Sequence, residues 1–296
     1  MVNLKKLSND LLNLQPRLSE SKNSIKVNFN NIKVAQVEYS EGPVGLTYIH
    51  FIKGAKCYMD IRGGWPAYTN ALSTNEKQHI DGINISGGSN LGLESATGIM
   101  AESLKTNNYN KWIGVNSSVI WSQNLLKNSI YPDKELGRFA FLNMNNILYN
   151  GQAGAGRSAR YGQGWSYKKL KNGIKILGLV VNNAVGNIYY NNKKIKTSNY
   201  FEKFINNIKL GTNTTITVLI INIKLDNDEL KQMTHQVNCS IAETIRPFNT
   251  FYDGDVFYSC STEQLERSKS FTNSKLIKLF MICSEVIKEA ILNSIK

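Results

Sequence analysis

A single layered α/β domain is what this sequence predicts, and three observations lead there. Apolar residues recur at every second position in some stretches and at every third or fourth in others, and the two patterns are mixed along the whole chain. No internal repeat, low-complexity tract or Pro/Ser-rich linker divides the 296 residues. Hydrophobic residues make up 42% of them, enough for a sizeable core.

Leu4, Leu7, Leu11 and Leu14 stand at helical spacing, so residues 1–15 predict a short amphipathic helix. Strand-like alternation follows at Ile25–Val27, Ile32–Val34, Val44–Ile52 and Cys57–Ile61. Arg62-Gly63-Gly64-Trp65-Pro66 makes a Gly-rich corner. Ile83–Ile85 reads as a strand and leads through Ser86-Gly87-Gly88-Ser89-Asn90 to a helix over Glu94–Leu104. A second Gly-rich segment covers 150–164, and strands follow at 174–185 and 215–223. Asp226 and Glu229 have capping-box spacing, ahead of Leu230, Met233, Val237, Ile241 and Ile245 at helical intervals. Leu276, Leu279, Phe280, Cys283, Ile287 and Ile291 mark a last amphipathic helix over 275–295.

Composition excludes several classes. No apolar run reaches the roughly 20 residues of a membrane span, and the first residues lack the apolar core of a signal peptide. A cytoplasmic protein without a membrane partner is expected. The four cysteines (Cys57, Cys239, Cys260, Cys283) form no CxxC pair and read as reduced, mostly buried thiols. Three scattered histidines give no metal-ligand spacing, so no metal site is expected. The net charge of +13 could suit a nucleic acid, but such binding needs a clustered basic stripe. Here the lysines are dispersed, with only short pairs at Lys168-Lys169 and Lys193-Lys194. A solvated basic surface is expected, with no nucleic-acid partner.

Several motifs carry little chemistry. Gly154-Ala155-Gly156-Arg157-Ser158-Ala159 fits a dinucleotide-binding pattern, yet glycines continue where that turn must open a helix. Arg62-Gly63-Gly64 occurs once, whereas RNA-binding elements of that kind come as repeated tracts. Three N-glycosylation sequons begin at Asn116, Asn213 and Asn238, and read as chance matches in a chain without a secretion signal.

Asn213-Thr214-Thr215 is more informative. It follows a short polar loop, Gly211-Thr212-Asn213, and precedes the buried-strand run Ile216–Ile221. If the bond before Thr214 breaks, the freed α-amine can act as base for the threonine's own hydroxyl. That chemistry needs no histidine, metal or cofactor. Asp253-Gly254-Asp255 sets two carboxylates on one face of an extended segment or around a turn, where they could orient an ammonium group.

Together these segments resemble the self-processing L-aminopeptidase/D-esterase family, which includes the β-peptidyl aminopeptidases and nylon-oligomer hydrolases. The matching stretches, in the family's order, are Gly42–Thr47, Asp60–Pro66, Ile85–Leu93, Gly154–Gly156, Val181–Gly186, Asn213–Ile216 and Arg246–Phe257. They span about residues 30–265. The resemblance implies a four-layer αββα sandwich over residues 1–296, cut between Asn213 and Thr214 into an α chain (1–213) and a β chain (214–296).

Roles carried over by position make Thr214 the nucleophile, its freed amine the general base, and Asn183 the oxyanion-stabilising amide, with Asn182 a rival. Asp253 and Asp255 become the acidic pair near the nucleophile. Gly87, Gly88, Trp121 and Gln163 fall on the substrate pocket. Departures from the family pattern lie at Trp121-Ser122, Arg157-Ser158, Gln163, Trp165 and Asn249. Trp165 is expected to narrow or reshape the pocket.

The leading expectation is a self-processing amide hydrolase acting on small peptides, amino-acid amides or β-peptide and nylon-like oligomers through an acyl-threonine. The resemblance further implies a homo-oligomer of processed α/β heterodimers. Two other readings stay open: an acetyl transferase of the ornithine-acetyltransferase type, and an uncut binding protein without enzymatic activity.

Overall fold

A computed structural model describes residues 8–11, 13–122, 129–196, 213–268 and 271–296. The predicted N-terminal helix falls mostly outside these; of its described residues, Asn9–Leu11 form a single 3-10 turn and 13–15 are not helical. Residues Gly211 and Thr212 of the predicted loop also lie outside them.

The first half contributes β1 (Pro16–Leu18), β2 (Ser24–Lys26), β3 (Ile32–Tyr39), β4 (Gly45–Ile61), α1 (Ala71–Lys77), β5 (His79–Ser86), α2 (Glu94–Thr106), β6 (Val115–Val119), α3 (Lys134–Leu142) and β7 (Ile147–Tyr149). The second contributes β8 (Gly162–Lys169), β9 (Lys175–Asn183), β10 (Asn187–Tyr190), β11 (Lys193–Lys196), β12 (Thr214–Ile223), α4 (Asn227–Thr244), β13 (Ile245–Arg246), β14 (Val256–Leu265) and α5 (Asn273–Ser294). The result is a mixed α/β fold built on one nine-stranded sheet, in the order β1-β3-β4-β14-β12-β9-β8, with β5 and β6 continuing from β4.

Strand β4 corrects one expectation. Two strands, Val44–Ile52 and Cys57–Ile61, are a single strand of 17 residues. Its first half pairs with β3, its second half with β14, and β5 pairs along both at Leu46–His50 and Ala55–Lys56. The irregular middle is secured by Asn31, whose Oδ1 accepts from Lys53 N (2.8 Å) and whose Nδ2 donates to Gly54 O (3.1 Å). The extra length lets one strand serve both ends of the sheet.

Period-two alternation then builds two cores at once. Ile216, Val218 and Ile220 of β12 join Leu177, Leu179 and Val181 of β9 in a core that also holds Ile49, Phe51, Ile83 and Ile85 of β4 and β5. Leu219 and Ile221 face the other way, against Leu230, Met233, Val237 and Ile241 of α4 and Leu279, Phe280, Cys283 and Ile287 of α5. Both faces of β12 are covered, which is why it reads as a continuous apolar run. A third core sets Ala35, Val37, Leu46 and Tyr48 of β3 and β4 against Ala96 and Ile99 of α2 and Leu136 and Ala140 of α3.

The helices start where polar side chains satisfy their first amides. Asp133 accepts from Glu135 N and Leu136 N, and Asp226 with Glu229 forms the predicted capping box. Three of the four cysteines are buried, and Cys57 and Cys260 bring their sulfurs to 3.5 Å across β4 and β14. No helix among the described residues is long and apolar enough to cross a membrane.

Candidate active site

The site forms where β12 begins. Thr214 is the first residue of this central strand and pairs in register with Asn183, the last residue of β9. β14 runs parallel to β12 on its other side, so both strands start at the same end of the sheet. That common start brings Asp253-Gly254-Asp255, the residues leading into β14, beside Asn213 and Thr214, and Asn213 bridges Asp253.

Thr214 is buried, with 2% of its surface exposed. Its hydroxyl donates to the carbonyl oxygen of Asn213 at 2.6 Å. Gly254 N–H donates to the same oxygen at 2.9 Å. The Asn213–Thr214 peptide thus has a hydroxyl and a backbone amide on one carbonyl. Glycine suits this place, because a Cβ on residue 254 would stand 3.1 Å from Thr214 Oγ1 and 3.0 Å from Trp65 O. The Trp65-Pro66 corner therefore lies against Gly254, tied down by Trp65 N–H donating to Asp253 O at 2.9 Å.

The two carboxylates are held by backbone amides around the strand start. Asp255 accepts from Thr215 N at 2.5 Å and from Asn249 N at 3.1 Å. Asp253 Oδ2 accepts from Thr250 N at 2.7 Å, while its Oδ1 is buried without a hydrogen-bond partner among the described residues. Burial pushes the Asp253 carboxyl above its ordinary value, against the pull of Thr250 and the Arg160 charge. Asp255 is pushed well above, first by burial and then by the neighbouring Asp253 charge. The two form an acidic pair that resists double ionisation.

Asn183 and its rival Asn182 are separated by the strand's alternation. Asn182 faces the helices, donating to Ser294 Oγ at 3.2 Å. Asn183 is on the face of Thr214 and Val181. Its Nδ2 donates to Trp121 O (3.0 Å) and its Oδ1 accepts from Arg160 N (3.0 Å). Trp121 thus touches the site through its backbone.

Gln163, Gly87 and Gly88 make their contacts away from Thr214. Gln163 is wholly buried, accepting from Thr47 Oγ1 at 2.7 Å and donating to Tyr149 O at 2.9 Å. Gly87 packs on Ser158 and Val44, and Gly88 N–H donates to Ser122 Oγ at 2.8 Å. Trp165, expected to reshape the pocket, is instead a fully buried core residue among the strands. Arg157 pairs with Glu38, and Asn249 takes a left-handed turn (φ 56°) to bring its amide to Asp255.

Two participants are absent from the sequence reading. Gly254 hides between the two aspartates that drew attention. Arg160, in the Gly-rich segment, places Nη1 at 2.5 Å from Ala184 O and Nη2 at 3.4 Å from Asn213 Oδ1. No spacing in the sequence signals it, since the contact spans 53 positions. Among the described residues no group of three or more His, Cys, Asp or Glu side chains is arranged to hold a metal ion.

The chain belongs to peptidase family S58, whose model matches residues 25–296; it is therefore a member of a family of amide-bond hydrolases. The 6-aminohexanoate-oligomer endohydrolase of Agromyces sp. (strain KY5R) is 28% identical, over 97% of this chain and 90% of that protein. The L-aminopeptidase D-Ala-esterase/amidase of Ochrobactrum anthropi, described as a variant of the Ntn hydrolase fold, superposes with a TM-score of 0.64 at 14% identity, covering 88% of this chain and 77% of that one. A Burkholderia sp. β-aminopeptidase gives a TM-score of 0.66 at 12% identity, covering 85% and 78%. These likenesses extend over nearly the whole chain, as the resemblance read from the motifs implied.

Proposed function

We propose that the chain is a self-processing amide hydrolase whose nucleophile is Thr214, built as a four-layer αββα sandwich. The observation that carries this is the Asn213 carbonyl, held by Gly254 N–H at 2.9 Å with the Thr214 hydroxyl 2.6 Å away. In maturation, Thr214 Oγ attacks the Asn213 carbonyl carbon, the C–N bond breaks, and the nitrogen takes a proton to become the α-amine of Thr214. Water then hydrolyses the ester, leaving an Asn213 carboxylate and restoring the hydroxyl. The products are an α chain of residues 1–213 and a β chain of 214–296.

In turnover the same hydroxyl attacks a substrate amide, with the freed amine as general base. The Gly254 amide receives the developing oxyanion, and the Asn183 side chain supports it from the paired strand. A donor of this kind is worth about 3 kcal/mol of barrier. The acidic pair, Asp253 and Asp255, holds the new ammonium beside the hydroxyl. Small peptides, amino-acid amides and oligoamides such as those of the nylon-oligomer relatives are the proposed substrates, with water as acceptor rather than an acetylated amino acid.

Intact mass under denaturing conditions tests this reading. Wild type should yield two fragments meeting at Asn213/Thr214, whereas Thr214→Ala should give one folded, inactive species of 33.3 kDa. A Thr214→Ala chain that still cuts and turns over would sink the proposal.

A further inference from the structure

The side chain of Asn213 marks out part of the acyl subsite. This step rests on the Thr214 reading above. In that reaction the maturation ester, with the Asn213 acyl group on Thr214 Oγ, is the enzyme's first acyl-enzyme. Any later substrate must bring its carbonyl to the same hydroxyl and the same Gly254 amide. Its acyl chain then leaves the carbonyl in the direction that Asn213 takes, and meets what Asn213 meets.

What Asn213 meets is Arg160. The guanidinium Nη2 stands 3.4 Å from Asn213 Oδ1, and Nη1 is anchored at 2.5 Å on Ala184 O. The backbone of the same residue is fixed through Arg160 N–H to Asn183 Oδ1 at 3.0 Å. The cation is thus held from two sides on the segment just before β8, and it does not depend on Asn213 for its position. Asn213 itself is 1% exposed, so the contact is made away from bulk water. A guanidinium is always charged and offers only donors, which selects for acceptor oxygens and against ammonium groups.

We propose that Arg160 is a specificity-determining residue that selects acyl groups carrying a carbonyl or carboxylate at the γ carbon, counted from the scissile carbonyl. Asparagine's own Cγ and Oδ1 stand there. Asparaginyl, α-aspartyl and succinyl amides share this chemistry; leucyl and butyryl amides match the carbon skeleton without the acceptor.

The test uses the matured full-length protein and anilides that differ only in the acyl group. Asparaginyl and succinyl anilides should be cleaved with kcat/KM about tenfold or more above leucyl and butyryl anilides, the range for a hydrogen bond to a charged group. Arg160→Gln should collapse that ratio. The chain's own cut provides a second measure, followed by intact mass over time. Asn213→Asp should mature at close to the wild-type rate and Asn213→Leu about tenfold more slowly, and Arg160→Gln should abolish the difference between them. Equal use of asparaginyl and leucyl anilides by cut enzyme, or Asn213→Leu maturing as fast as wild type, would overturn the acyl-subsite assignment alone. A wild-type chain that stays uncut would overturn the Thr214 reading along with it.

Discussion

At the scale of single residues, the acidic pair makes a prediction about pH. Asp255 holds its proton more tightly in the folded chain than in the unfolded one, because burial and the Asp253 charge both oppose its ionisation. Its contribution to stability is therefore complete below the ordinary value of 3.8 and is lost as pH rises through the folded value. In the uncut Thr214→Ala background, Asp255→Asn should remove that loss. Its denaturation midpoint, relative to the Thr214→Ala parent, should move upward as pH is raised from acid to neutral. A difference that stays constant across the range would show that Asp255 ionises freely. The same residue scale explains what was legible early. Thr214 announced itself because a polar Asn-Thr-Thr precedes an apolar run, while Arg160 has no local signature at all.

At the scale of elements, the strands that were easiest to read are those buried on both faces. β9 and β12 are continuous Ile, Leu and Val runs because the strand core lies on one side and α4 and α5 on the other. β8 was hidden among glycines. Gly164 is there because α5 lies against the strand, and a Cβ would come 2.0 Å from Ala290 O. β6 went unread because its Asn116-Ser117-Ser118 is polar yet buried, paired with Thr74, Asn84 and Tyr258. Ile287 of α5, wholly buried against β9, should be among the costliest truncations. Ile287→Ala is expected to destabilise by about 2–5 kcal/mol in denaturant unfolding. A loss under about 1 kcal/mol would mean that α5 does not hold the sheet in place.

At the scale of the whole molecule, the proposed cut falls inside the sheet rather than between domains. β12 of the 214–296 fragment pairs with β9 of the 1–213 fragment, and β14 pairs with β4. Both strand pairs and two of the cores cross the cut. The two pieces should therefore stay together after maturation. Native mass is expected to show them in equal numbers in every assembly, and denaturant should release both in one transition. Fragments that separate on dilution without denaturant would contradict this. The resemblance implies a larger homo-oligomer, which the same measurement counts directly.

What the sequence by itself determined was chemical and local: an α/β class from mixed periodicities, a hydroxyl at the head of a buried strand, two aspartates one residue apart, and the helix start at Asp226. Tertiary structure alone decided which of these meet. Parallel pairing of β12 and β14 set Gly254 on the Asn213 carbonyl, and strand alternation turned Asn183 toward Thr214 and Asn182 away from it. Gln163 and Trp165 went to the interior for the same reason, since a residue's face is fixed by register with partners far along the chain. Register is a property of paired strands, and no single strand carries it in its own sequence.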